Sequence, residues 1–591
     1  MASEKKTASS AYAAAAVQVK LGRIPKFSPK LHKQSRQELS LRAKAAKEAA
    51  KLLLADSSAS LERIKNSLSE KHGITYLKNS EILAFIPSSP RTAALRQSLL
   101  KSPTRTLSGV SPVAIMPPPA YCGGKCTYCP KGENAPQSYT GYEPTTMRAI
   151  QNHYSARLQV LARLRQYEQQ GHTADKCHLI IMGGTFLYID EKPRHAFMKE
   201  AFDTLNGKKS ANMASAINEN EFAPYRAIGV TYETRPDYGY EYHADEMLLL
   251  GGTQVELGVQ SLSDRVYSLV RRGHKVADVI RSTSILKNSG FKMTYHMMPG
   301  LFSTPKQDVS YFKRLFTGDS FQPDMLKIYP ALVIQGTVLY RQWKRGEFEP
   351  YDTEKAAEVL ADATRHIPSY VRIPRIQRDI PSPLISAGVK NSNLRQIVEA
   401  KLAEKGEKCR CIRCREIGSA IRKKSEIGKL KLALQRIDYS ASGGKEIFLS
   451  YEDSEKDLLA AFLRLRIPNE SHRKEIDANA PLPSTYAYQS APAEKRNEKF
   501  AYRKQSRDKP NVLASIVREL HVYGQEAAIG EYNPLKLQHT GLGRKLLAEA
   551  ERITKQEFGL EKVAVISGPG ARGYYRKFGY ELDGAYMCKG V

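Results

Sequence analysis

The chain has 591 residues, enough for two to four domains, with 91 Lys and Arg against 61 Asp and Glu. A net charge of +30 points to a polyanionic partner, most simply RNA; a protein kept soluble by its lysines is the plainer alternative. No apolar run approaches the ~20 residues of a membrane span and the N-terminus lacks the apolar core of a signal peptide, so a cytoplasmic protein without membrane contact is expected.

In chain order, residues 1–85 are rich in Ala, Lys, Arg and Ser. Residues 41–54 read as a helix, preceded by Lys20, Arg23, Lys26, Lys30, Lys33 and Arg36. Such an arm suits nucleic acid, and equally a solvated tail. Residues 82–87 and 113–116 are short apolar runs with strand character. From about 110 to 385 strands and helices alternate, with strands expected at 177–182, 227–232, 254–259, 292–297 and 325–329. That rhythm implies a parallel barrel or partial barrel, whose functional residues sit at the carboxyl ends of the strands. Those ends carry Gly183, Gly184 and Thr185, then Glu233, then Gln260 and Ser261, then Tyr329.

Six of the eight cysteines fall in two tight groups, which reads as metal binding in a reducing compartment. Cys122, Cys126 and Cys129 have the spacing C-x3-C-x2-C, with Gly123 and Gly124 allowing a tight bend and Tyr128 before the last thiol. Three thiolates so placed can hold three irons of a cubane and leave the fourth open; a zinc knuckle is the competing reading. Cys409, Cys411 and Cys414 (C-x-C-x2-C) lie in a basic stretch at 370–440 with Arg372, Arg375, Arg378, Lys390, Arg395 and Lys401. They are candidate zinc ligands, with His366 or His472 as the fourth, or else free thiols among arginines.

Past residue 445 the pattern changes, with strand and helix pieces at 446–451 and 461–465 and a polar, Pro- and Lys-rich loop at 468–510. A strand ends at Glu519, Leu520, His521 and Val522, and Gln538, Gly541, Leu542, Gly543 and Arg544 open a helix. Tyr574 and Tyr575 follow the next strand. Q-x-x-G-x-G at a helix start brings backbone amides close to a pyrophosphate.

The cysteine loop matches the radical S-adenosylmethionine (SAM) pattern, and the C-terminal order resembles the acyl-CoA site of a GNAT-type acetyltransferase. Together the two halves resemble the family of the catalytic Elongator subunit in its archaeal and bacterial single-protein form, over roughly residues 80–591. The resemblance rests on Gln137-Ser138-Tyr139-Thr140-Gly141-Tyr142-Glu143-Pro144-Thr145, Met182-Gly183-Gly184-Thr185-Phe186, Glu233-Thr234-Arg235-Pro236-Asp237, Arg518-Glu519-Leu520-His521-Val522-Tyr523-Gly524 and Gly573-Tyr574-Tyr575-Arg576-Lys577. Eukaryotic-like members space the first two cysteines further apart and begin with Cys-Pro-His, so the spacing here points to a microbial member.

The resemblance implies a radical SAM partial (β/α) barrel plus a C-terminal GNAT-type domain, divided as 1–85 basic tRNA-binding region, 86–390 radical SAM core, 391–440 Cys-rich linker and 441–591 acetyltransferase domain. It implies a [4Fe-4S] cluster, SAM, acetyl-CoA as co-substrate and tRNA held at the anticodon stem-loop; zinc rests on the Cys409, Cys411 and Cys414 spacing alone. The implied activity is tRNA carboxymethyluridine synthase, in which a 5′-deoxyadenosyl radical activates the acetyl methyl for addition to carbon-5 of the wobble uridine. Gly183, Gly184, Thr185, Glu233 and Gln260 are then SAM contacts. Lys176, Glu519, Leu520, His521, Val522, Gln538, Gly541, Leu542, Gly543, Arg544, Tyr574 and Tyr575 are acetyl-CoA contacts, with Lys176, Lys327 and Tyr329 in catalytic roles. A protein lysine acetyltransferase with a structural cluster and a tRNA-binding scaffold are the other classes, and homodimerisation is left open. RNA bridging the basic 370–440 stretch is expected to set the orientation of the two catalytic units.

Overall fold

The computed structural model describes residues 36–87, 89–99, 109–172, 174–377, 380–422, 429–478, 512–523 and 541–591. Lys20, Arg23, Lys26, Lys30, Lys33, Arg378, Gly524 and Gln538 lie outside the described residues.

Helices Arg36–Ala55, Leu61–Lys71, Asn79–Leu83 and Ala93–Leu99 form an N-terminal unit with its own core. One face of the first helix is Ala45, Ala46, Ala49, Ala50 and Leu53, small enough for close approach to Leu68, Leu77 and Ile82. Buried Arg42 clamps the unit, donating to Glu81 at 2.7 and 2.8 Å and to Thr75 Oγ1 at 2.6 Å. The strand expected at 82–87 is instead the end of a short helix and a turn. The Glu81 carboxylate caps that helix by accepting from the Lys78 amide at 2.7 Å, a local bond that outweighs the apolar run. Because Leu99 belongs to the same core, the unit extends past residue 85.

Seven strands then form one curled parallel sheet: β1 (Ser111–Ile115), β2 (Lys176–Ile181), β3 (Arg226–Thr234), β4 (Gln254–Gln260), β5 (Lys292–Met297), β6 (Met325–Ile328) and β8 (Arg372–Ile376), in that order. A two-stranded piece, β7 (Val333–Ile334) with β9 (Ile385–Ala387), sits at its side. Alternation along the strands gives the sheet two unlike faces. On the convex face Leu179, Ile181, Val230, Tyr232, Val255, Leu257, Tyr295 and Ile328 are fully buried under the crossover helices.

The second sheet runs β10 (Ala433–Ala441), β11 (Gly444–Asp453), β12 (Leu458–Ile467), β13 (Ser515–Val522), β14 (Lys562–Ile566), β16 (Tyr586–Gly590) and β15 (Glu581–Asp583). All its pairings are antiparallel except β13 with β14, which pair only through Ser515–Val517 and then part. Residues 391–440 are not a free linker. Helix Leu394–Glu404 buries Leu394, Val398 and Leu402 in the core of the first sheet, and β10 is a strand of the second.

The two sheets meet at the amino ends of the parallel strands. Arg518 on β13 grips Asp324, just before β6, through two bonds of 2.6 and 2.7 Å, and bonds Glu446 at 2.7 Å. Arg466 joins Glu446 at 2.9 Å and Asn288 at 2.6 Å; Lys287 lies 3.5 Å from both carboxylates. None of these charged side chains is more than 1% exposed. Gly568 also packs on the first sheet so tightly that a Cβ there would lie 2.3 Å from the Ile228 backbone. The protein itself therefore sets the orientation that RNA was expected to set.

Burial alone would raise the carboxyl pKa values of Asp324 and Glu446, but the surrounding Arg and Lys groups hold both below the ordinary range. Their contribution to stability is therefore present above the unfolded value near 4 and is lost as pH falls towards the folded values. Arg518→Met should destabilise the protein by about 3–5 kcal/mol, because it strands two buried carboxylates. Urea unfolding at pH 7 reads this directly; an unchanged midpoint would exclude the network as the joint between the sheets.

Candidate active site

The loop 121–130 lies across the carboxyl ends of the parallel strands. Its turn is fixed by the Cys129 amide donating to Cys126 O at 3.2 Å, and it is tied to the end of helix Asp264–Leu269 by the Thr127 amide donating to Val270 O at 3.0 Å. Cys122, Cys126 and Cys129 share one cavity of about 240 Å³ with Gly184, Thr185, Glu233, Gln260 and Tyr329. Arg272 donates to Cys126 Sγ at 3.4 Å. Arg235, oriented by Asp237 at 2.8 and 2.9 Å, packs against Gly124, where a Cβ would lie 2.3 Å from its Nη1. Burial pushes the Cys129 thiol up to about 11, with Ser138 Oγ 3.0 Å away pulling the other way. Nearby cations favour the thiolate, and coordination to a metal deprotonates it outright, so this donor set fits an iron–sulfur cluster.

Of the residues expected at the strand ends, Gly184, Thr185, Glu233, Gln260 and Tyr329 line this cavity and Gly183 does not. Gly184 has φ +93, so a side chain there would be strained, although a Cβ would meet Gln137 O at 3.4 Å and Cys122 Cβ at 3.6 Å only in ordinary contact. Gln260 adopts φ +69 at the bulge where the β4–β5 register shifts, turning it into the cavity. The Glu233 carboxyl is raised by burial and by neighbouring Glu256, and it accepts from Tyr139 Oη at 3.0 Å. Ser261 is buried and does not line the cavity.

Sequence reasoning missed Glu256, His296, Arg235 and Arg272. Glu256 lies 2.9 Å from His296 Nε2 and is ion-paired with Lys327; against the cost of burial, these two hold its carboxyl far below the usual range. Tyr329 sets its ring edge-on to His296 at 5.6 Å. Glu233, Glu256 and His296 come within 4.8 Å of one another, a donor set that the Lys327 ammonium already balances. The signal was available: Gln254, Glu256, Gly258 and Gln260 alternate with Val255, Leu257 and Val259, as do Lys292, Thr294 and His296 with Met293, Tyr295 and Met297.

The sulfurs of Cys409, Cys411 and Cys414 also lie within 4.8 Å of one another, around the turn Ile412–Arg415. The three thiols are coupled, with Cys411 pulled down while Cys409 and Cys414 are pushed up, so all three become thiolates together only when a bound cation offsets their charge. Neither expected histidine joins them among the described residues. His472 pairs instead with Asp245 at 2.9 Å.

The other candidates collect at the opposite end of the parallel sheet. Lys176 is the first residue of β2, beside Arg226. Glu519 accepts from Arg464 at 3.0 Å and lies 3.6 Å from Lys292 at the start of β5. His521 stacks on Phe462 with centroids 5.9 Å apart; burial pushes it down to about 4, and its Nε2 has no hydrogen-bond partner among the described residues. Leu520 and Val522 face helix Leu542–Arg552. Gly541 caps that helix in the left-handed conformation, Leu542 is buried beneath it, and Arg544 is exposed. A Cβ on Gly543 would lie 2.6 Å from Tyr574 Oη and 3.6 Å from Val522, so these three meet at the helix start. Tyr575 points into the core of the second sheet beside Tyr580, leaving Tyr574 as the tyrosine at Gly543.

A three-cysteine loop over a curled parallel sheet, with Glu233 and Gln260 at the strand ends, defines a radical SAM protein. Residues 116–315 match the Radical SAM superfamily and residues 323–404 the Radical_SAM C-terminal domain, which implies SAM and a [4Fe-4S] cluster. The chain is 45% identical to the tRNA uridine(34) acetyltransferase of Methanocaldococcus infernus, over 88% of this chain and 92% of that protein. It is 40% identical to human Elongator complex protein 3, over 90% and 93%. The solved structure of the Methanocaldococcus infernus Elp3 with an N-terminus deletion matches at 42% identity and a TM-score of 0.68, covering 82% of this chain and all of that one. The chain belongs to this family of tRNA uridine(34) acetyltransferases and Elongator complex protein 3. No described helix is long and apolar enough to cross a membrane.

Anaerobic reconstitution should load about four irons on the 122–129 loop, and Cys126→Ser should lose them together with the cluster's visible absorption. A Cys126→Ser protein that keeps all the iron would move the cluster elsewhere.

Proposed function

We propose that this chain modifies the wobble uridine of tRNA, using SAM and acetyl-CoA to build a carboxymethyl group on carbon-5. The observation that carries the reading is that a radical SAM site and a candidate acyl-CoA site occupy the two ends of one set of strands in a rigidly joined protein. The names of the relatives agree with tRNA as substrate. So does a net charge of +30.

Cys122, Cys126 and Cys129 would hold the cluster. When bound, it supplies the electron that splits SAM into methionine and a 5′-deoxyadenosyl radical. Gly183, Gly184 and Thr185 offer backbone groups to the SAM amino group, and Glu233 and Gln260 bond its ribose or methionine part. Lys327 and Tyr329, on the inner wall beside Glu256 and His296, hold charge and orientation where the acetyl carbon must react.

At the other end, the first amides of helix Leu542–Arg552 face the CoA pyrophosphate, with Tyr574 against Gly543. The stretch of β13 beyond Val517 stays paired with β12 but, among the described residues, not with β14, which leaves that edge for the pantetheine amides. Lys176 stands at the same end for the acyl group. His521, neutral at pH 7, can take a proton from the water that hydrolyses the thioester. Cys409, Cys411 and Cys414 hold a structural zinc.

Mass spectrometry of wobble nucleosides, with SAM or acetyl-CoA omitted in turn, tests the reading. Both omissions should abolish the carboxymethyl product. Gly543→Glu and Tyr574→Ala should lower modification about tenfold or more while leaving tRNA binding intact. Acetyl transfer to peptides without SAM would instead support a protein acetyltransferase, and wild-type modification by both variants would put the donor site elsewhere.

A further inference from the structure

The concave face of the parallel sheet has a composition that the fold alone does not explain. The interior of a parallel barrel is normally packed with branched apolar side chains. Here it carries His178 bonded to Thr231 Oγ1 at 2.7 Å, Gln254 donating to Thr294 Oγ1 at 3.2 Å, and the Glu256–Lys327 pair. The row continues at the amino end into Lys292, which meets Glu519 of the second sheet, and at the carboxyl end into Glu233 and His296, which line the cysteine cavity. His178 is half-buried rather than sealed, and it lies in the fields of both the Lys292–Glu519 and Glu256–Lys327 pairs.

We infer that this polar inner face is the passage along which the acyl end of acetyl-CoA travels from the second sheet to the SAM side, a reading that rests on the function proposed above. The thioester stays intact in transit; no bond forms or breaks there. The distance suits the task, since Lys292 to His296 is four residues of strand, about 13 Å, within the reach of an extended pantetheine arm. A polar wall also hydrogen-bonds the arm's amides as they leave water.

Gly229 is the position on this face where added bulk would meet the proposed route. It pairs in register with His178, and a Cβ there would lie 3.5 Å from the His178 ring and 3.6 Å from Thr253 Oγ1, so a methyl fits and a larger group fills the way.

The test is the series Gly229→Ala, Gly229→Val and Gly229→Phe. Iron content, SAM cleavage and the acetyl-CoA dissociation constant should stay within twofold of wild type. Carboxymethylation of tRNA should fall with side-chain size, reaching about 100-fold or more for Phe. Full modification by a folded, iron-loaded Gly229→Phe protein would overturn the passage. If that variant fails to fold, wild-type protein irradiated with a diazirine-bearing acyl-CoA decides the matter. Labels within 178–181 or 294–297 support the passage, and labels confined to Lys176, Lys292 and 512–591 overturn it. A wild-type protein that binds no acetyl-CoA would instead remove the proposed function itself.

Discussion

The Asp324–Arg518–Glu446 cluster is the contact on which the rest of the molecule depends. Burying five charged groups costs several kcal/mol each in desolvation, and an apolar joint would be at least as stable. What the charges supply is register. A bidentate guanidinium has one geometry on a carboxylate, and any sliding of the second sheet would strand a charge in a low dielectric. With Arg518 fixed on Asp324, the next residue, Glu519, is brought to Lys292, and His521 is held over Phe462. The candidate acyl-CoA site is thereby aimed at the base of the parallel strands.

The parallel sheet divides its labour by face. Its convex side is a continuous apolar layer under helices, each fully buried Leu, Ile or Val contributing roughly 1.5–3 kcal/mol. That surplus tolerates a concave side carrying His178, Glu256 and Lys327, which add little net stability and are kept neutral or paired with one another. Period-2 alternation lets one strand do both jobs, because successive residues never compete for the same environment.

This division explains what was legible in the sequence. The cysteine loop, Gly183-Gly184-Thr185 and the strands themselves were readable because each depends on neighbours in the chain. For Glu256 and His296 the period-2 alternation marked the face they share, but their pairing across adjacent strands is something spacing cannot express. Residues 391–440 looked like a linker because their charges stood out. Their apolar partners Leu394, Val398 and Leu402 recur at helical spacing but lie against the distant helix Thr353–Thr364. The run at 82–87 misled because a capping carboxylate and the clamp from Arg42 decided its conformation, and neither lies within the run. Tyr574 and Tyr575 were indistinguishable as neighbours until the helix after β14 sent one to Gly543 and the other into the core.

The cysteine loop poses an electrostatic problem of its own. Burial pushes Cys129 towards its neutral form, yet cluster binding needs thiolates. Arg272 and Arg235 bring two fixed cations to the loop, and both are held by groups other than the thiols. Arg235 is paired with Asp237, and Arg272 also donates to Gly258 O at the end of β4. Because these anchors are independent of any ligand, the positive field is present before iron or SAM arrives, so assembly need not reorganise it. Gly258, Gln260 and Arg272 reach the cavity from one strand and its following turn, so the bulge that turns Gln260 inward also puts the strand end where Arg272 can meet Cys126.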